Sequence, residues 1–483
     1  MIADLRPIFL IVGLLIATLG GAMFLPAAVD FLADNDDWEV FAFTGSITLL
    51  VGLGLYSGAR GTTKGMSTRQ AFVMTTAVWV ALVFFGSIPY LLSGAVPTFT
   101  DAFFESMSGL TTTGSTVITG LDTQPPGILL WRGIQQWLGG LGIIVMAVAV
   151  LPMLQVGGMQ LFKIEAFDTA EKIMPRATQI SGMLTFVFII ITAICILAYL
   201  FAGMRLQDAV IHGMTTVATG GFSTRDASMG YFESHTIHLI SVTFMILGSI
   251  PFILYVQATR GQPQKLWLNS QVQVFFFVLI FCTFIAWLLN TSIEDSNGLT
   301  RFVEALFNVT SVITGTGYST TDYGQWAPGA NAFFFAIMFI GGCAGSTSCG
   351  IKIFRFQILF ETIKQHLRRI FYPNGIFMMR FNGKQIEDTA ATAVMNFFAV
   401  YFLLFGIFAI LLNLTGLDFL TSMSAAGTAI SNVGPGLGST IGPSSTFQDL
   451  NDTAKWILSV AMLVGRLELF TVLVLFMPRF WRA

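Results

Sequence analysis

Ten stretches of about twenty nearly uncharged residues limit what this chain can fold into. They cover roughly 8–29, 40–58, 70–94, 131–153, 180–203, 236–257, 272–291, 331–354, 389–414 and 456–477. At 1.5 Å per residue, ~20 apolar helical residues cross the ~30 Å hydrocarbon core of a bilayer. The composition agrees: only 10% of the 483 residues are charged, against about 25% in ordinary soluble domains. So few charges cannot solvate the surface of a soluble fold. The expectation is an all-α integral membrane protein with ten transmembrane helices. The first run follows Arg6 but is longer than the 7–15 residues of a signal-peptide core, so it reads as a membrane helix.

Charge sets the orientation. With Asp34, Asp36, Asp37 and Glu39 outside, alternation puts segments 58–70, 154–179, 258–271 and 355–388 and both termini inside. Those segments, with Lys352 at the inner end of the run 331–354, hold 18 of the 24 Lys+Arg, whereas the outer segments hold 18 of the 26 Asp+Glu. Basic inner loops are what the positive-inside rule requires, and an acidic outer face concentrates cations at a pore mouth. Cys195, Cys282, Cys343 and Cys349 lack metal-site spacing and read as buried thiols. His235 and His238 have no third ligand nearby.

Between the apolar runs lie segments too short or too polar to cross: "AFFESMSGLTTTGSTV" (102–117), "AVIHGMTTVATGGFST" (209–224), "EALFNVTSVITGTGYST" (304–320) and "SMSAAGTAISNVGPGLGS" (422–439). They align on Gly114, Gly221, Gly317 and Gly434, with Ser108, Thr215, Ser311 and Thr428 six positions earlier. The chain thus divides into two leading helices (1–66) and four repeats of span, half-helix, polar loop and span: 67–155, 176–258, 270–372 and 386–483. Irregular backbone at membrane depth is tolerated only where protein buries it or where it lines a watery cavity. Four such loops on one axis, each behind the negative end of a short helix, offer stacked rings of carbonyl oxygens. Such rings replace the hydration shell of a potassium ion. The expected filter residues are Thr111, Thr112, Thr113, Gly114; Ala218, Thr219, Gly220, Gly221; Thr314, Gly315, Thr316, Gly317; and Ser431, Asn432, Val433, Gly434. A monovalent cation is the expected cargo there, held by main-chain oxygens.

Thr314-Gly315-Thr316-Gly317-Tyr318 resembles the potassium-channel filter. Together with the four unequal repeats, the two leading helices and "NVGPG" (432–436), it makes the whole chain resemble the Trk/Ktr/HKT superfamily of potassium transporters. Within it the chain looks like the ion-conducting membrane subunit of the bacterial Trk system. The resemblance implies potassium uptake across a bacterial inner membrane, with glycine at all four filter positions favouring potassium. Val433 and Pro435 make the fourth loop the most divergent.

Two interruptions stand out beyond the filter. "GGCAGSTSCG" (Gly341–Gly350) breaks the run 331–354, and reads either as a kink at a crowded helix crossing or as a flexible loop across the pore. The resemblance implies the second, an intramembrane gate made by Gly341, Gly342, Gly345, Ser346, Thr347 and Gly350, with Lys352 beside it. Arg466 lies too deep to reach either interface. It reads as half of a structural ion pair or as a fixed charge in the pore, and the resemblance implies a pore arginine.

Several classes find no support. "GLGLYSG" (52–58) lies at the end of an apolar run with no strand before it, so it is no dinucleotide fingerprint. No nucleophile–base pair or metal triad assembles within the spans, so an enzyme is not expected, nor is a cofactor in this chain or a nucleic-acid partner. The basic segment 355–388, with "KQHLRRIFYPNG", can anchor at anionic lipid. The resemblance adds a cytosolic ring of nucleotide-binding (NAD, ADP/ATP) domains as a regulatory partner, and a homodimer. The competing function is a symporter coupling potassium to protons or sodium. It rests on Glu468, the acid clearly inside a span.

Overall fold

The computed structural model describes residues 4–61, 66–149, 177–291, 298–375, 377–382, 384–385 and 388–482. Lys64, Lys163, Lys172 and Arg176, and the end of the first repeat beyond residue 149, lie outside the described residues. The described chain is mostly helical, with one two-residue antiparallel pairing, Arg380–Phe381 against Lys384–Gln385.

Among the described residues, seven helical stretches are long and apolar enough to cross a membrane: Arg6–Leu32, Asp37–Gly58, Thr68–Leu92, Pro126–Met146, Gln179–Phe201, Ser270–Leu289 and Thr389–Leu414. The first two pack closely because small residues face each other. A Cβ on Gly13 would stand 2.6 Å from Tyr56 N, and one on Gly20 2.5 Å from Leu49 N. Dispersion gained at such backbone approach is what drives helix association where no water is expelled.

Three of the ten expected spans are not continuous helices, one of them, 331–354, at the glycine-rich stretch that the sequence marks as a break. The run 236–257 is two helices, His235–Ser249 and Phe252–Thr259, meeting at 91°. Pro251, lacking an N–H, stands at that corner. The run 456–477 is Asp452–Arg466 followed by Phe470–Phe476, bent by 108°, with Glu468 (φ 62°) and Leu469 (φ 46°) in the left-handed region. The run 331–354 is helical only over Ala330–Ile337, then irregular until Ile353–Phe371 begins. Its glycines and hydroxyls cannot keep a helical ladder, so other protein groups satisfy the freed backbone. Gly341 N donates to Ile351 O (2.9 Å), Cys343 N to Ser249 O (3.0 Å) and Thr347 N to Gly248 O (3.1 Å). The carbonyls released by one break therefore bind the amides released by another.

Four shorter helices do not cross: Phe99–Leu110, Leu206–Val217, Gly298–Thr314 and Phe419–Ser431, of 12, 12, 17 and 13 residues. Thr98 and Asp418 cap the first and last by accepting from the backbone N–H of Asp101 and Thr421. Each sits between the long helices of its repeat, with its C-terminal end buried at the centre.

Candidate ion filter and gate

Each short helix ends where its aligned loop begins, and the four loops share one backbone shape. The aligned glycines have φ values of 89° (Gly114), 82° (Gly221), 85° (Gly317) and 113° (Gly434). Two residues earlier, Thr112, Thr219, Gly315 and Asn432 are also left-handed, at 52°, 50°, 69° and 52°. The residue between keeps an ordinary negative φ. In all four loops its N–H closes onto the Ser/Thr carbonyl six positions before the glycine. Thr113 donates to Ser108 (2.9 Å), Gly220 to Thr215 (2.8 Å), Thr316 to Ser311 (2.8 Å) and Val433 to Thr428 (3.0 Å). Three non-glycine residues in the left-handed region cost about 1–2 kcal/mol each. That strain recurs at one register, so it belongs to the site rather than to chance.

The loops meet as a closed ring. A Cβ added to Gly114 would collide with the Gly220 carbonyl, one on Gly221 with Thr316 O, one on Gly317 with Val433 O, and one on Gly434 would come within 2.7 Å of Thr113 O. Each glycine thus faces the next repeat's carbonyl, and the fourth returns to the first. All sixteen expected filter residues are in this assembly. They are buried except Gly114 and Gly317, which are partly open.

Behind the ring stand residues that sequence reasoning missed. Nine positions before the aligned glycines are Glu105, His212, Asn308 and Ala425. Glu105 accepts from Val117 N (2.9 Å), His212 Nε2 meets Ser223 Oγ (3.0 Å) and Asn308 accepts from Thr320 N (3.2 Å). At the alanine repeat the neighbouring Ser424 takes over, bonding Leu437 N at 3.1 Å. Each half-helix therefore pins its own outgoing strand. Aligning the four segments would have exposed this register. Gln136 donates to Gly220 O (2.5 Å) and accepts from Phe222 N (2.9 Å), bracketing Gly221. The Tyr318 hydroxyl meets Thr215 Oγ1 (2.5 Å), tying the third loop to the second half-helix.

On one side of the ring opens a cavity of about 650 Å³ that the four glycines floor. Its cations are partnered: Arg132 with Glu105 (2.9 Å), and Arg225 with Asp208 (3.0 Å) and Asp122 (3.2 Å). Burial pulls the pKa of Arg225 down, but Asp208 and Asp122 outweigh it and hold it above the ordinary value. Asp226 and Asp449 line the cavity with no ion pair among the described residues, leaving it negative.

On the other side lies the glycine-rich loop. Thr347 is its anchor: its hydroxyl donates to Gly248 O (2.9 Å) and accepts from Thr219 Oγ1 (3.2 Å). Its carbonyl accepts from Arg466 Nη1 at 3.2 Å. Gly342 N donates to Ser348 Oγ (2.8 Å), Phe252 N to Gly345 O (2.9 Å), and Ser346 Oγ to Cys343 O (2.5 Å). Gly350 closes the loop at φ 72°, and Lys352 Nζ donates to Ser348 O. Arg466 also reaches Gly139 O (3.1 Å) and Cys349 Sγ (2.6 Å), and has no carboxylate partner among the described residues. Glu468 pairs instead with Arg355, 113 residues away, whose guanidinium lies 3.6 Å from the Phe397 ring centroid. His235 and His238 sit apart from all this, near Thr300 Oγ1 (3.3 Å) and Met229 O (3.1 Å).

Comparison with known proteins converges on one group. A family model named TrkH, described as a cation transport protein, matches residues 38–483. The chain is 40% identical to the Trk system potassium uptake protein TrkI of Halomonas elongata, covering 99% of this chain and 97% of that one. It is 37% identical to the Trk system potassium uptake protein TrkH of Escherichia coli K12, covering 99% of each. The crystal structure of the potassium transporter TrkH from Vibrio parahaemolyticus matches with a TM-score of 0.91 and 37% identity, over 99% of this chain and 100% of that one.

Proposed function

The chain belongs to the TrkH family of cation transport proteins, and from that premise we propose how it carries potassium as the conducting subunit of an uptake system. It is a transport protein, not an enzyme. The observation that carries the mechanism is the closed ring of four glycines against four carbonyls. Potassium enters the negative cavity, sheds water, and is held by main-chain oxygens of residues 111–114, 218–221, 314–317 and 431–434. Because the backbone is the ligand, the loops must be held rigid, and the links from Glu105, His212, Asn308 and Ser424 do that.

Past the ring, Arg466 and the loop Gly341–Gly350, with Lys352 beside it, form the gate. A guanidinium with no carboxylate partner raises the energy of a cation at the same depth. Opening therefore requires the loop and Arg466 to part. The cavity faces outward, across a bacterial inner membrane, and both termini are cytoplasmic, as the distribution of basic residues supports. The helix Ile353–Phe371 exposes Phe360, Leu367, Ile370 and Phe371 beside Lys364, Arg368 and Arg369. That surface supports docking of a second copy and of a cytosolic nucleotide-binding (NAD, ADP/ATP) ring that works the gate.

A symport mechanism needs an acid free to load and release a proton. Glu468, the acid it depended on, is engaged with Arg355. The discriminating experiment is a reversal-potential measurement on purified protein in a planar bilayer with opposed potassium and proton gradients. The potential should follow potassium alone. A systematic shift with pH would establish coupling, and indifference to potassium would remove the proposal.

A further inference from the structure

Beneath the ring, on the Arg466 side, a cavity of about 30 Å³ is lined by Cys349, Lys352, Tyr401, Asn432, Arg466 and Glu468 among others. One water needs about 10–15 Å³ of such space, so the cavity admits one or two water-sized groups. In conduction and gating as described above the Cys349 sulfur only accepts a contact from Arg466, and its redox chemistry is unused. Its Sγ lies 2.6 Å from Arg466 Nη1 and 3.6 Å from Thr112 Oγ1, and it is in no disulfide. Two further atoms are left over on residues that line the same cavity. Among the described residues Arg466 Nε–H has no acceptor and Asn432 Oδ1 no donor, although the two side chains are only 3% and 1% exposed. A buried polar group without a partner is destabilising, so such a pair marks a place for a polar group. One open donor and one open acceptor on residues that share a cavity with a thiol are the complement of an S–OH group, whose oxygen accepts and whose hydroxyl donates.

We propose that Cys349 is a site of reversible oxidation by hydrogen peroxide, its sulfenic acid fastening the gate loop to Arg466 and lowering potassium conduction. The step balances. Sulfur attacks one peroxide oxygen and the O–O bond breaks, while the thiol proton leaves with the departing hydroxide as water: –SH + H2O2 → –SOH + H2O. Sulfur is oxidised by two electrons and peroxide reduced by two. Thiol reductants reverse the product. Peroxide is neutral and little larger than water, which suits both the cavity and its cationic lining. The position explains the direction of the effect. A Cβ on Gly315 would stand 3.3 Å from Cys349 Cβ, so an oxygen added to the sulfur lies just under the ring.

This inference rests on the conduction reading, and its test separates the two. Purified protein in potassium-loaded vesicles is assayed for flux, treated with hydrogen peroxide and assayed again, then treated with dithiothreitol. A parallel sample is trapped with dimedone, digested and analysed by mass spectrometry. The expected result is a dimedone adduct on Cys349 and a several-fold fall in flux that dithiothreitol restores. Cys349→Ser, normalised to its own untreated flux, shows no fall, whereas Cys343→Ser keeps it. An unlabelled Cys349, as when the cavity holds only water, overturns the proposal, and so does an equal fall in Cys349→Ser. If untreated vesicles carry no flux the conduction reading fails instead, and an absent adduct still overturns the thiol chemistry.

Discussion

Gly221 sits at φ 82° with the Thr316 carbonyl where a side chain would begin. Alanine there must leave the left-handed region or displace the neighbouring repeat. The conformational strain alone is about 1–2 kcal/mol, and the displaced oxygen belongs to the ring. Gly221→Ala should therefore abolish potassium-limited growth of an uptake-deficient bacterial strain while the protein still reaches the membrane. Growth at the parental rate would show that the ring tolerates the shift. Arg466 makes the opposite prediction: Arg466→Ala should raise potassium flux into reconstituted vesicles several-fold, and unchanged flux would remove it from the gate. The glycines and Arg466 were legible because each breaks a local rule, four loops at one register and a charge at mid-membrane. Glu105, Gln136 and Arg355 were not legible as partners, since their contacts join segments 12 to 113 residues apart. A buried acid or amide shows its purpose only once its partner is in place.

Three membrane-crossing elements are broken, and the breaks are joined to one another. Thr347 from the third repeat occupies the Gly248 carbonyl beside the bend of the second, while Arg466, just before the bend of the fourth, holds Thr347 in turn. Thr347→Val keeps the side-chain volume but removes the hydroxyl that serves Gly248, Val217 and Thr219. A net hydrogen bond contributes about 0.5–1.5 kcal/mol, enough to shift a marginal gate by a factor of several. Basal flux should rise, and hydrogen exchange should speed up at the loop amides. Exchange and flux matching the parent would detach Thr347 from the gate. Of the three breaks, "GGCAGSTSCG" was readable from composition. Pro251 marks the second, but its run was long enough to pass as continuous. At the third, Glu468 and Leu469 adopt a left-handed turn that nothing in "GRLEL" announces, and the pull toward Arg355 is tertiary.

At the scale of the whole molecule, the cavity above the ring keeps Asp226 and Asp449 in surplus. Fixed negative charge raises the local cation concentration, and salt screens it over about 10 Å at 0.1 M. The double variant Asp226→Asn/Asp449→Asn should thus conduct less than the parent at low ionic strength and equally at high. An equal deficit at both would mean that the carboxylates act by structure rather than by field. The four loops form one circuit, yet nine residues before the shared glycine they carry glutamate, histidine, asparagine and alanine. A pore assembled from identical subunits receives every substitution in quadruplicate, so its walls can only change together. Here a single codon alters one quadrant and spares the other three, so selectivity and rate can drift in small steps that a symmetric assembly has no means of taking.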